Sequence, residues 1–167
     1  MLFAYISSSP GVFMDGYGLS AGAYGLMFGV VTVFMIGGGQ VNIILLRTRT
    51  VQSLLRAYSV VLLGGTVVIL LAAVLGLPMW VLLVGLVGAG MCFAGIQANA
   101  TAQALGPFPD NAASASALLG TVSMILGGAV AAVLAATGFD ATVQMGAAMT
   151  AAAAVAVLLA RALRSAG

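Results

Sequence analysis

Apolar residues run for about twenty positions at a time along this chain, and the breaks between runs are short and rich in Gly, Pro or charge. Runs of that length match the roughly 20 residues a helix needs to cross about 30 Å of hydrocarbon. Five spans are predicted, at about 20–46, 54–76, 79–105, 112–136 and 142–161. The breaks between them read RTRTVQS, GLPM, GPFPDN and TGFDAT, short enough to make successive helices antiparallel neighbours. Segments of about ten residues with alternating polarity, the mark of a membrane barrel, do not occur. The predicted fold class is therefore an all-α membrane protein.

Composition strengthens that picture. Of 167 residues, 63% are hydrophobic and 5% charged, with a mean hydropathy of +1.24. Water cannot solvate so much apolar surface, so the lipid bilayer is the expected partner and solvent. Met1 is followed by no basic segment and no short apolar core ending in a cleavage site, so a cleaved secretory signal is not expected. The single cysteine, Cys92, leaves no disulfide within the chain. With no histidine either, metal sites of the His/Cys kind are excluded.

Charge adds orientation. Arg47, Arg49 and Arg56 flank the first connection, and Arg161 and Arg164 follow the last span. Five crossings put all five on one side. The opposite connections hold Asp15 and Asp140 and no Arg or Lys. The positive-inside rule then makes the Arg-bearing side cytoplasmic, together with residues 107–111 and the carboxy-terminus. The pI near 9.1 rests on these five arginines alone and argues for no nucleic-acid partner.

The first stretch, MLFAYISSSPGVF, is apolar but only about 20 Å long as a helix. It reads as a partial helix over 1–14, the outer end of one whose inner end is missing, followed by an external turn holding Asp15 and GYGLS.

Small residues matter because helices in lipid associate through close packing rather than hydrophobicity. Gly18 and Gly22, and again Gly25 and Gly29, have GxxxG spacing. Gly120, Ser123, Gly127, Ala131 and Ala135 form one smooth stripe on the fourth full span. Helix-contact faces are expected at Gly25, Gly29, Gly120 and Gly127. Gly37, Gly38 and Gly39 read as a packing or flexible point, since no strand precedes them and no Lys-Ser/Thr follows, as a phosphate loop requires. Pro107 and Pro109 end a helix, and Asp110 or Asn111 can cap the next. Asp110 in a proton relay is the alternative reading of that acid.

NATAQALGPFPDNAASASALLG (99–120) resembles the Bcr/CflA drug-resistance branch of the major facilitator superfamily, where an Asn-Ala-Thr helix end, a Pro-Phe-Pro turn and a small-residue helix start recur. YISSSPGVF (5–13) is similar to the family's seventh helix, and GYGLSAGAYGLMF (16–28) to the start of the eighth. Gln40, Asn42 and the Leu-Leu-Arg at 45–47 match its inner end. Departures stand at Ala98, where the family has Pro, at Ala113, where it has Gly, and in RTRTVQS, which lacks the family's Gly-Arg-Arg character. The matches fall in order over nearly the whole chain. The resemblance implies half of a major facilitator bundle, helices seven through twelve, with five complete helices and a partial first one.

It also implies a proton-coupled multidrug efflux function, a small lipophilic drug-like substrate, and an amino-terminal six-helix half supplied in cis or in trans. A drug cavity needs apolar and aromatic walls with a few polar groups near mid-depth. The candidates are Tyr5, Ser9, Gln97, Asn99, Ser123 and Met124. Each has a structural alternative. Ser7, Ser8 and Ser9 can bond back to the helix, Gln97 and Asn99 can bond between helices, and Ser123 and Met124 can simply pack. Phe28, Phe34 and Phe93 suit lipid as well as a cavity. Cys92 reads as a small buried hydrophobe and Trp80 as an interfacial anchor. No charged residue falls at mid-depth in a full span, so the coupling proton site is expected in the other half. No nucleophile, base or metal cluster marks an enzyme, and no cofactor is implied. A transport-inactive module that associates through its glycine faces is the second functional reading.

Overall fold

The structure, a computed structural model, describes residues 1–108, 110–136, 138 and 140–165, and among these the side chains of 134, 135 and 162–165 are left aside. The predicted roles of Pro109 and of the Ala135 and Arg164 side chains therefore lie outside the described residues. The chain is an all-α membrane protein. A short helix α1 (Leu2–Pro10) passes into a π-helical turn (Gly11–Gly16). Five helices long and apolar enough to span follow: α2 (Ala21–Leu45), α3 (Val51–Val74), α4 (Met79–Leu105), α5 (Ala112–Ala136) and α6 (Ala141–Ser165). The predicted spans match these to within a few residues. α3 begins earlier than expected because the Thr50 hydroxyl accepts from the Ser53 amide at 3.3 Å. The partial first helix is longer than expected, since the π turn carries it through Asp15 to Gly16. Pro10 donates no amide proton, and the widened turn begins at the next residue, a usual site for such a bulge.

The turns on the Arg-free side repeat one design. Gly18, Gly76 and Gly138 have φ of 70°, 62° and 66°, the left-handed conformation in which glycine alone is unstrained. In the first two, the amide three residues past the helix bonds far back into it: Leu19 N to Phe13 O and Leu77 N to Ala72 O, both 2.9 Å. Each sequence is a glycine, an apolar residue and the residue that starts the next helix: Gly18-Leu19-Ser20, Gly76-Leu77-Pro78 and Gly138-Phe139-Asp140. Ser20 caps α2 through the Ala23 amide at 3.3 Å. Asp140 caps α6, accepting from the Thr142 amide at 2.8 Å and the Val143 amide at 3.4 Å. Tyr17 ties two of these turns together by donating to Leu77 O at 2.9 Å. Burial, and then the negative charge of Asp140, push the Tyr17 phenol up. On the Arg-bearing side, Asn111 takes the N-cap position of α5, its carbonyl accepting from the Ala115 amide at 2.9 Å, while Asp110 is exposed.

Helix contacts follow a pattern. α3 packs on α4 and α6, α2 packs on α4, and α1 packs on α6 and α5. Exchanging α1, α2 and α3 for α4, α5 and α6 returns the same pairs. The two three-helix units run in opposite senses, because short connections alternate the direction of every helix. The buried core lies where they meet: Phe13 beyond α1, Leu62 and Ile69 of α3, Leu82 and Leu86 of α4, and Met145 and Met149 of α6. α2 and α5 hold corresponding places on the outside, and no residue of α5 between Ala112 and Val133 is buried.

Close approach is made by glycines, and of the four expected contact positions, Gly25, Gly29, Gly120 and Gly127, only Gly127 makes it within the chain. A β-carbon at Gly25, Gly29 or Gly120 would meet nothing within 4 Å, so these faces make no helix contact inside the chain. The close contacts fall where helices cross. Gly38 lies on the backbone of Met91, Gly146 would put a β-carbon 2.8 Å from Leu70 Cα, Gly85 would put one 3.2 Å from Gly65 O, and Gly127 receives the ring of Phe3. Spacing along one helix says which residues are small on one face; which face meets a neighbour is decided by the crossings.

Two outcomes follow. Gly38→Ala forces α2 from α4 and should cost about 1–3 kcal/mol of stability, whereas Gly25→Ala should stay within about 0.5 kcal/mol. Unfolding of both variants in mixed detergent micelles measures this, and equal losses would refute the assignment of the α2–α4 contact to Gly38. The second concerns Asp140, whose carboxyl is held below its ordinary range mainly by the Thr142 amide. A depressed folded value means that the cap is fully present above the ordinary carboxylate range and is lost as pH falls through the folded value. A carbon-13 titration should find the Asp140 midpoint below that of Asp in an unstructured peptide; a midpoint at or above it would remove the cap.

Candidate functional site

The two units enclose apolar space on the side away from the α3–α6 contact. A small central cavity of about 20 Å3, room for little more than one water, is lined by Leu2 and Tyr5 of α1, Val31 and Met35 of α2, Gly90 and Phe93 of α4, and Met149 of α6, among others. Beside it a cleft of about 320 Å3 lies between α1, α4 and α5, lined by Phe3, Phe93, Gln97, Ser123, Leu126 and Gly127. Met1, Leu2 and Phe93 belong to both, so the two spaces share a wall. No charged side chain lines either. Both spaces offer shape and apolar contact, with few polar groups to fix an orientation.

Tyr5 is the polar group at the centre. Its side chain is buried and stacks on Phe28, with ring centroids 5.5 Å apart and planes 7° from parallel. Phe28 in turn meets Tyr24 at 6.0 Å. The Tyr5 hydroxyl is buried with no hydrogen-bond partner, and such groups are costly unless they serve a purpose. The Tyr58 hydroxyl shares this condition, but Tyr58 packs against Gly95, away from both cavities.

The remaining candidates divide. Ser9 corrects both sequence expectations: it is fully buried and its hydroxyl pairs with the Tyr24 hydroxyl at 2.8 Å, joining α1 to α2. It neither bonds back to its own helix nor lines a cavity. Its neighbour Ser7 is exposed and Ser8 half-buried. Asn99 is also withdrawn from the substrate wall, for it is 3% exposed and its amide is committed to Asn42 of α2. Asn42 Nδ2 donates to Asn99 Oδ1 at 3.1 Å and Asn99 Nδ2 donates to Asn42 Oδ1 at 2.9 Å. This reciprocal pair gives the oxygen and the nitrogen of each carboxamide a partner in an apolar interior. Gln97 lines the cleft as expected. Ser123 also lines it, although its proton goes to Leu119 O at 2.7 Å, leaving the hydroxyl only lone pairs to offer. Met124 is 67% exposed on α5 and lines neither space.

Phe93, left open between lipid and cavity, lines both spaces, and Met35, which sequence reading passed over, lines the central one; an aromatic or Met in an apolar helix carries no mark of the face it occupies. Phe34 stays exposed. Asn42 carried a signal, a carboxamide inside an apolar run, that pairing with Asn99 now explains. Cys92 is buried, as expected of a small hydrophobe. Trp80 is exposed in the first turn of α4, beside the Arg-free turns.

No protein-family model matches the chain, and no match to it is found among curated proteins or solved structures.

A double-mutant cycle of Asn42→Ala and Asn99→Ala should give a coupling of about 0.6–2 kcal/mol, the range for polar pairs between membrane helices. Additive losses would mean that the reciprocal bond holds nothing together.

Proposed function

We propose that this chain is the carboxy-terminal half of a proton-coupled multidrug efflux transporter, a drug/proton antiporter of the bacterial inner membrane. It supplies one wall of the substrate cavity. The observation that carries the reading is the inverted pairing of two three-helix units beside an uncharged, aromatic-lined space. Transporters of the major facilitator type nest such inverted repeats within each six-helix half and bind substrate near mid-depth. The resemblance of residues 5–28 and 99–120 to the Bcr/CflA branch favours the same function. The arginines at one end orient the chain with its carboxy-terminus in the cytoplasm.

On this reading Phe93 and Gln97 face a lipophilic drug in the cleft, with Ser123 at its edge and Tyr5 in the small cavity that adjoins it. A wall with few polar groups tolerates many ligand shapes, which suits a drug-resistance exporter. Energy coupling comes from the amino-terminal half, because the cavities offer no charged side chain for a proton to visit. That half covers the exposed faces of α2 and α5.

A second reading is favoured by one observation: Gly25, Gly29 and Gly120 present bare faces with no intrachain neighbour. Such faces also suit a transport-inactive module that docks on another membrane protein.

Expression of the chain in drug-sensitive cells, alone and with an amino-terminal half of the same branch, separates the readings. Drug resistance is expected only when both are present. Export against a gradient by the chain alone would overturn the account of coupling. Association with that half, with no transport, would move the assignment to the second reading.

A further inference from the structure

The five arginines do more than set orientation. α3 and α6 meet along a seam that is closed toward the Arg-free side, where Gly146 packs on Leu70 and the Thr150 hydroxyl donates to Thr66 O at 3.0 Å. Toward the Arg-bearing end the seam opens into a groove of about 210 Å3 lined by Arg56, Ser59, Val60, Val157, Ala160 and Arg161. We propose that this groove binds the headgroup and upper acyl chain of an anionic phospholipid from the leaflet on that side.

The spacing builds the site. Arg56, Ser59 and Val60 stand at i, i+3 and i+4 on α3, and Val157, Ala160 and Arg161 stand at i, i+3 and i+4 on α6. Residues so spaced share a helix face. The helices run in opposite directions, so the two sets align with their arginines toward the ends of the helices and their valines toward the middle. The groove thus changes along its length from two cations to apolar wall. A phospholipid has the same gradient, with phosphate at the interface and hydrocarbon beneath it.

Charge selects the occupant. No carboxylate lines the groove. Asp140 and Asp15 lie at the other end of the bundle, and Asp110 lies on the α4–α5 connection. The Ser59 proton is already given to Leu55 O at 2.6 Å, so the arginines alone supply donors to an anion. Guanidinium groups keep their charge at every accessible pH and fit phosphate oxygens in pairs. Basic pockets between membrane helices are a known setting for acidic headgroups. Inorganic phosphate shares that chemistry, but nothing in it would use Val60, which is 57% exposed at the deeper end of the groove. The site stands or falls independently of the transport reading, since it needs only that the chain span a bilayer.

Native mass spectrometry of the full chain released from micelles tests it, with phosphatidylglycerol and phosphatidylcholine of identical chains as probes. The protein should retain phosphatidylglycerol in preference. The double variant Arg56→Gln/Arg161→Gln should bind it roughly thirtyfold more weakly, two cations at about 1 kcal/mol each. Arg47→Gln/Arg49→Gln, with the same loss of net charge, should keep the preference. Equal losses in the two double variants would overturn the proposal, because the lipid would then be answering net charge and not this groove. Release of phosphatidylglycerol by millimolar inorganic phosphate would also overturn it, by assigning the site to the free anion.

Discussion

Helices in hydrocarbon gain nothing from hiding apolar side chains from one another, so the bundle depends on how closely its backbones approach. That constraint explains why the decisive residues are glycines at crossings. Gly38 on Met91 sets α2 against α4, Gly85 opposite Gly65 sets α3 against α4, and Gly146 on Leu70 sets α3 against α6. Dispersion contacts grow steeply as side-chain bulk between two backbones is removed. Polar bonds then fix register within the contacts: Asn42 with Asn99 between α2 and α4, Thr150 with Thr66 O between α6 and α3, and Ser9 with Tyr24 between α1 and α2. Each links helices that are otherwise smooth, and each satisfies groups that lipid would leave unpaired.

The opposite ends of the bundle solve different problems. On the Arg-free side, the glycine turns reverse the chain within a few residues and start each new helix with a cap or a proline. Tight reversal there brings Tyr17, Leu77 and Asp140 into one neighbourhood, where the phenol bonds a carbonyl and feels the carboxylate. On the Arg-bearing side the connections carry charge instead, and the α3–α6 seam loosens where the arginines enter it. Close packing at one end and an open groove at the other follow from where small residues and cations fall on α6, with Gly146 near its start and Arg161 near its close.

Much of the fold was legible because hydrocarbon thickness is an external ruler. Apolar run length located α4 and α5 to the residue, and α2, α3 and α6 to within a few. Capping chemistry explains the misfits: Thr50 starts α3 before its apolar run does, and the π turn extends the first helix past the point where its apolar run ends. The site was less legible. Asn99 and Ser9 were selected for being polar within a span, and polarity alone does not say whether a group faces a cavity or another polar group. The pairings with Asn42 and Tyr24 depend on which helices adjoin, which is a property of the whole bundle. Gly25 and Gly29 failed as intrachain contacts for the same reason. Tyr5 and Gln97 stay at the cavity walls, yet nothing in their local sequence separated them from Asn99.

The polar groups that remain after this accounting limit what the cavity can do. Structural bonds consume Ser9, Tyr24, Asn42 and Asn99, and Ser123 gives its proton to its own helix. What reaches the apolar space is a phenol without a partner, the carboxamide of Gln97 and a set of aromatic and methionine side chains. The Tyr5 hydroxyl carries the cost of an unpaired buried group, about 1–3 kcal/mol, beside a space of about 20 Å3 that little more than one water fills. Among the described residues no Arg, Asp or Glu side chain lines either space, so what they offer is aromatic and methionine surface, one phenol and one carboxamide.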